Sequence, residues 1–356
     1  MTHPSEGGAV AEEGVVTGSH EERSVPDHRD ITSRKRMMVF AGTAHPVLAD
    51  EIAEQLQIQL CHTKISRFAS GEIYVRSDES VRGADAFVIQ THADPINEMI
   101  MEQLVMIDAL KRASAKRITA VIPYYGYSRQ DHKVLAREPI SAKLVADLLT
   151  TAGADRVISV DLHSGQIQGF FNLPFDHLTA MPLLSNYIKE HIGAPDEIVV
   201  VSPDAGRIKS AQRLRTDLHS DLAFIYKRRS RHEANKIEQV VVVGEVEGRR
   251  CVMIDDMIDT AGTISEGAKA LAAEGAAEVY AVATHPVLSG KAVQLIAESP
   301  IKEIVVTNTL PIAEEKVHVL GDRLVVLSIA PIVASALDAV FEDESVSGIF
   351  QGENQP

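Results

Sequence analysis

From Met37 onward short apolar runs alternate with longer amphipathic ones, and that alternation leaves few folds open to the chain. MMVFAG, AFVIQTH and ITAVIPYY read as strands, while HPVLADEIAEQL and NEMIMEQLVMIDALKRA carry the spacing of helices. Strands that are apolar throughout need cover on both faces. Helices threaded between them supply it, so the pattern predicts βαβ units around a mainly parallel sheet. The expected class is α/β, and 356 residues exceed the usual size of one domain, which favours two.

A repeat supports that division. AGADRVISVDLHS, residues 152–164, aligns with EGAAEVYAVATHP, residues 274–286, at a spacing of 122 that pairs Gly153 with Gly275 and His163 with His285. The preceding segments SAKLVADLLT and TISEGAKALA fall into the same register, as expected of a duplicated α/β unit. The boundary is expected near residues 179–181, giving domains over 36–179 and 180–341. The last helix, PIVASALDAVFED, could pack on either. Residues 1–35 are polar and without apolar period, which predicts a disordered tail, and residues 342–356 read as a second tail.

Charge narrows the function. A net charge of -15 argues against a nucleic-acid surface, which needs clustered Lys and Arg, so an anionic ligand must be met by local basic groups. Two cysteines without CxxC spacing fit a reducing compartment and define neither a disulfide framework nor a zinc site. No run is long enough for a membrane span, and no apolar signal core precedes the fold, so a cytoplasmic protein is expected.

The stretch RRCVMIDDMIDTAGTISEGAKALAAEG carries the sharpest chemical signal. RRCVMI is expected as a strand, DDMIDTAGT as a loop and ISEGAKALAAEG as a helix. Free N–H groups at the helix start, with Thr260, Ala261, Gly262 and Thr263 letting a phosphate approach the main chain, make an anion site. Asp255, Asp256 and Asp259 would be costly neighbours for an anion unless sugar hydroxyls or a hydrated Mg²⁺ stood between them. A phosphorylated sugar fits both halves of the loop. An Asp-rich turn capping a helix with Thr260 or Thr263 is the plainer reading, but capping needs one such residue. Further on, YKRRSRHEANKIE is basic in an acidic chain, and positioned Lys and Arg stabilise a transferred phosphoryl group.

DDMIDTAGT resembles the phosphoribosyl-diphosphate loop of type I phosphoribosyltransferases. With RFASGEIYV, PYYGYSRQDHK, VDLHSGQIQGFF, VVSPDAG and YKRR, in that order, the chain is similar to the ribose-phosphate diphosphokinase family over residues 37–341. The resemblance implies two tandem phosphoribosyltransferase-like domains and transfer of the diphosphoryl group of ATP to the C1 hydroxyl of ribose 5-phosphate. It assigns Phe68, Ser70, Glu72, Arg129, Gln130 and His163 to ATP, His163 and Asp204 to Mg²⁺, and Lys227 and Arg229 to catalysis. Ribose 5-phosphate would fall to Arg229 with Asp255, Asp256, Asp259, Thr260, Ala261, Gly262 and Thr263. Residues 230–239 would form a lid, and the assembly would be a homohexamer or another homo-oligomer. Two positions depart from the family pattern: Ser70 stands in place of Asp, and Arg207 in place of Gly. The rivals are an ordinary phosphoribosyltransferase, which would have no need for the ATP motifs, and a non-catalytic regulatory subunit.

Overall fold

Nearly every residue in the central strands is buried on both sides, and the layers follow from that. The computed structural model describes residues 35–229 and 237–350. In the N-terminal half, β1 (Met37–Ala41), β4 (Asp85–Ile89), β5 (Arg117–Ile122), β6 (Arg156–Val160) and β7 (Phe175–Leu178) form a parallel five-stranded sheet in the order β1-β4-β5-β6-β7. Connecting parallel strands requires crossovers, which α1 (Pro46–Gln55), α2 (Ile96–Arg112) and α3 (Ser141–Ala152) provide. A separate antiparallel hairpin, β2 (Thr63–Arg67) and β3 (Ile73–Ser77), alternates half-buried and exposed residues along both strands, because one of its faces is wet.

The C-terminal half builds a seven-stranded sheet in the order β10-β9-β8-β11-β12-β13-β14. Its strands are β8 (Ile198–Ser202), β9 (Asp221–Arg229), β10 (Ile237–Val243), β11 (Arg250–Ile258), β12 (Glu278–Pro286), β13 (Ile301–Thr307) and β14 (Leu324–Leu327). All pairings are parallel except β9 with β10. Its helices are α4 (Met181–His191), α5 (Ile208–Leu218), α6 (Gly262–Ala273), α7 (Ala292–Ala297), α8 (Glu314–Leu320) and α9 (Ala330–Phe341). The chain is thus α/β, with two parallel sheets flanked by helices.

The 122-residue repeat has a structural counterpart, since β6 starts at Arg156 and β12 at Glu278, each following a helix. Gly153 and Gly275 follow those helices at φ +121 and +85, conformations that side chains other than hydrogen rarely adopt.

One apolar cluster draws on both halves, including Val39, Ile158, Leu184, Val200, Val282 and Leu337. Each fully buried Leu or Ile contributes about 1.5–3 kcal/mol relative to exposure, so this shared cluster binds the halves firmly. Helix α9 packs across α1, and its buried alanines, 330, 334, 336 and 339, permit a close approach. The outer faces of the two sheets have their own cores, around Phe40, Ile107 and Leu149 in one half and Met253, Leu271 and Ile304 in the other.

The C-terminal tail expected from residue 342 does not begin there. Asp343 pairs with Lys35 and Arg117, and Val346 and Phe350 are buried against the shared cluster. Apolar residues four apart pin this segment to the fold, a signal too short to stand out in the sequence. Residues 1–34, most of the expected N-terminal tail, and residues 351–356 lie outside the described residues.

Candidate active site

The strand that leads into the acidic loop is longer than the sequence suggested. Pairing with β12 continues through Asp255 opposite Ala283, Met257 opposite His285 and Ile258 opposite Pro286, so β11 runs to Ile258. The carboxylates of Asp255 and Asp256 therefore stand on a strand at its C-terminal end, where parallel sheets gather ligand groups. The loop itself shrinks to Asp259, Thr260 and Ala261 before α6 begins at Gly262. Ala261 takes the N-cap position at φ +60 and gives no side-chain cap. A left-handed alanine costs about 1–2 kcal/mol, and such strain is retained where a loop must wrap a ligand.

Arg207 decides the electrostatics of the acids. Its Nε lies 2.8 Å from Asp255 Oδ1 and its Nη2 lies 2.7 Å from Asp256 Oδ1, with the guanidinium largely buried. The same Nη2 is 2.8 Å from His163 Nδ1, which also lies 2.8 Å from Asp256 Oδ2. That ring nitrogen either accepts from Arg207 or donates to Asp256, so the three groups share one hydrogen-bond network. Burial pushes the Asp255 carboxyl well above the usual range, and the adjacent Asp256 charge adds to this. Burial opposes ionisation of Asp256 as well, but His163 and the Arg207 charge override it and hold that carboxyl far below the usual range.

Side chains from the two halves meet at the end of this loop. Arg129, in the loop after β5, places Nη1 2.5 Å from Asp259 Oδ2, and Ser289 donates a hydrogen bond to the other oxygen of the same carboxylate. Asp204 starts a short 3-10 turn, Ala205–Arg207, by accepting from the Gly206 N–H at 2.8 Å. Arg129, His163, Asp204, Arg207, Asp255, Asp256 and residues 257–264 surround one cavity of about 210 Å³. A second cavity of about 520 Å³ lies beyond, lined by Lys209, Ser210 and Arg213 among others, and Arg207, His163, Asp255 and Asp256 border both. Among the described residues no three His, Cys, Asp or Glu side chains converge as a metal cage.

Other expected residues stand apart. Phe68, Ser70 and Glu72 form the tip of the β2–β3 hairpin and line neither cavity. There Ser70 Oγ donates to Glu72 Oε2 at 2.7 Å, Gly71 turns the chain at φ +92, and the Phe68 ring is 57% exposed, edge-on to Tyr74. Gln130 accepts from Ser141 Oγ at 2.7 Å, at the start of α3. Lys227 and Arg229 belong to β9 rather than to a loop, with backbones opposite Val240 and Ile237; their side chains lie outside the described part of the structure. So do residues 230–236 of the expected lid, while Ile237–Val243 forms β10.

Two participants escaped the sequence reading. Arg207 is a visible departure from the family pattern, but no feature of the sequence points it inward onto the acids. Ser289 gave no signal, since its role depends on the end of β12 folding back over the loop, where the Ser289 N–H donates to the Asp259 carbonyl at 3.0 Å.

An acid-bearing strand, a tight loop on a helix N-terminus and a basic partner across a parallel α/β fold define a protein that handles phosphorylated sugars. Comparison with known proteins makes this specific. Residues 37–153 match the N-terminal domain of ribose phosphate pyrophosphokinase, and residues 221–351 match the phosphoribosyl synthetase-associated domain. The chain is 54% identical over 319 residues to the ribose-phosphate pyrophosphokinase of Streptomyces coelicolor, covering 90% of this chain and 97% of that one. The Mycobacterium leprae enzyme of the same name is also 54% identical, over 323 residues, with the same coverage. The crystal structure of phosphoribosylpyrophosphate synthetase from Mycobacterium smegmatis superposes with a TM-score of 0.82 at 54% identity, covering 87% of this chain and all of that one. The chain belongs to the ribose-phosphate pyrophosphokinase family and is an enzyme of the transferase class.

Proposed function

We propose that the family's reaction, transfer of the diphosphoryl group of ATP to the C1 hydroxyl of ribose 5-phosphate to give 5-phosphoribosyl 1-diphosphate and AMP, runs in the 210 Å³ cavity between the halves. The observation that carries this reading is the convergence of Arg129, His163 and Asp204 on the Asp259–Thr263 loop, residues from motifs far apart in the chain. The N-terminal half, residues 36–179, serves ATP, and the C-terminal half, residues 180–341, serves the sugar phosphate.

In this division of labour the sugar's phosphate lies on Thr260, Ala261, Gly262 and Thr263, where main-chain N–H groups and the helix dipole receive it. Its vicinal hydroxyls donate to Asp255 and Asp256, and Asp259 orders the loop between Ser289 and Arg129. Arg129, Gln130 and His163 bind the nucleotide's phosphate side, and the Phe68, Ser70 and Glu72 hairpin offers a ring and acceptors for the adenine. Lys227 and Arg229 are the catalytic pair, with Arg229 also reaching the sugar phosphate. Their task is to hold charge on the transferred group, because diphosphoryl transfer depends on positioning and electrostatics more than on covalent chemistry.

The donor set fits Mg²⁺ held mostly by water and substrate phosphates. His163 and Asp204 face the same cavity, yet they are too few for a cage, as expected of a small hard cation that keeps its water. Bound with the nucleotide, Mg²⁺ would offset phosphate charge.

A homo-oligomer, a hexamer or another closed assembly, accounts for apolar side chains left exposed at Val134, Leu135 and Leu144. The two cysteines, Cys61 and Cys251, are free thiols, which supports a cytoplasmic location; no helix among the described residues is long and apolar enough to cross a membrane. Neither nucleic acid nor membrane enters the reading.

The test is formation of AMP and 5-phosphoribosyl 1-diphosphate from ATP and ribose 5-phosphate with Mg²⁺, beside Lys227→Ala. Activity that falls by roughly 10³-fold or more in the variant is expected, the range of a lost transition-state charge contact. A parent that makes no AMP, or a variant as active as the parent, would sink the assignment.

A further inference from the structure

We propose that Arg207 is the resident counter-cation of the sugar site: it holds Asp255 and Asp256 together, ready for the sugar hydroxyls, and so makes ribose 5-phosphate binding independent of a divalent cation. The inference rests on the reading that the loop takes ribose 5-phosphate.

Three observations carry it. First, two adjacent carboxylates with side chains only 18% and 7% exposed face one guanidinium through separate nitrogens, at 2.8 and 2.7 Å. A planar fork can bond two carboxylates at once, which the point charge of a lysine cannot. Second, among the described residues no other Lys or Arg forms an ion pair with either acid. Lys209 and Arg213 lie along the larger cavity without such contacts. His163 lies against Asp256 alone, so without Arg207 Asp255 would keep no cationic partner and the buried pair of acids would need a cation from solution.

Third, the backbone delivers the side chain. Asp204 closes a turn onto the Gly206 N–H, and Arg207 follows as the residue that caps α5. A glycine there, the residue that the family pattern carries, could not supply the charge. The arginine borders both cavities, so its guanidinium meets the acids where the two spaces adjoin.

The experiment is calorimetric titration of the full chain with ribose 5-phosphate, without ATP, in EDTA and again in Mg²⁺. The parent, Arg207→Gly and Arg207→Lys are compared, with thermal melts to check folding. The parent should bind almost equally in both buffers. Arg207→Gly should bind roughly tenfold or more weakly in EDTA, the scale of a broken buried charge pair, and recover in Mg²⁺. Arg207→Lys should fall between them, keeping the fold and the charge but losing the fork. A purely structural role would weaken binding in both buffers alike, so the recovery is the discriminating readout. Arg207→Gly binding like the parent in EDTA, or a parent that itself requires Mg²⁺, overturns the inference and leaves the sugar site standing. A parent that binds in neither buffer removes the site assignment, and this inference with it.

Discussion

His163 and His285 occupy equivalent points of the two halves, 122 residues apart, each at the C-terminal end of a parallel strand, yet they do different work. His163 opens onto the cavity, its side chain 31% exposed and its Nδ1 against Asp256 and Arg207. His285 is 1% exposed, with Nδ1 2.9 Å from Thr309 Oγ1, Nε2 3.0 Å from the Asp161 carbonyl and its ring edge-on to Tyr124. Fold position is equivalent; what packs against each ring is not. Beside His163 lie charged groups of β11 and the Asp204 turn. Beside His285 lie a carbonyl, a hydroxyl and a phenol ring, which close off the edge and turn it into a joint.

Between these two histidines, the larger effect on activity should come from removing the one at the cavity. His163→Ala is expected to lower kcat/KM for AMP formation by on the order of 10²-fold, as when one preorganised donor is lost, with little change in thermal midpoint. An unaltered rate would place His163 with His285 among structural residues. The reverse pattern is expected for His285→Ala, which leaves the Asp161 carbonyl without its buried donor and opens a void beside Thr309. A loss of about 2–4 kcal/mol in denaturant unfolding follows from the cavity and the unmade hydrogen bonds. If stability holds while activity collapses, the joint is part of the chemistry and the contrast fails.

Acid should expose the buried histidines next. His92, 1% exposed, accepts at Nδ1 from the Gly126 N–H and donates from Nε2 to Gln103. Burial holds its imidazole down to about 4, against 6.5 for an open one, and pushes His285 down as well. In the unfolded chain both take a proton as pH drops through 6.5, whereas folded His92 waits until about 4. Stability from this source is therefore complete above 6.5 and falls as pH falls between 6.5 and about 4. Each such histidine adds a slope of up to about 1.4 kcal/mol per pH unit. His92→Gln should flatten urea-unfolding stability against pH just below 6.5, where carboxylates contribute little; an unchanged slope would show that His92 is not held neutral.

These contrasts mark how far the sequence could be read. The βαβ alternation, the 122-residue repeat and the DDMIDTAGT loop were legible because each is a local pattern with a period or a composition. The hairpin β2–β3 and the edge strands β7, β10 and β14 were not, since their runs are short or mixed and pair through distant partners. The strand was expected to stop before Asp255, because acids disfavour strands by propensity; pairing with β12 overrides that preference. Arg207 shows the deeper limit. Its type and its oddity are in the sequence, but its direction depends on a turn that Asp204 closes and on acids nearly fifty residues further along.

The smallest effect, and the finest test of the contrast, concerns Arg129 and Asp259. This pair also crosses between the halves, but at the open cavity, with Arg129 53% exposed and Asp259 17%. Solvent screening should hold its coupling to about 1 kcal/mol or less in a double-mutant cycle of Arg129→Gln and Asp259→Asn, read by denaturant unfolding. Raising the salt concentration should shrink it further, because an exposed pair is screened. The buried joint around His285 should show no such salt dependence, since its contacts are neutral hydrogen bonds. A coupling well above 2 kcal/mol that survives salt would mean that the cavity rim clamps the halves as firmly as the joint does. A weak, salt-sensitive coupling leaves Arg129 free to exchange Asp259 for a substrate phosphate at little cost, as the nucleotide contact proposed for it requires.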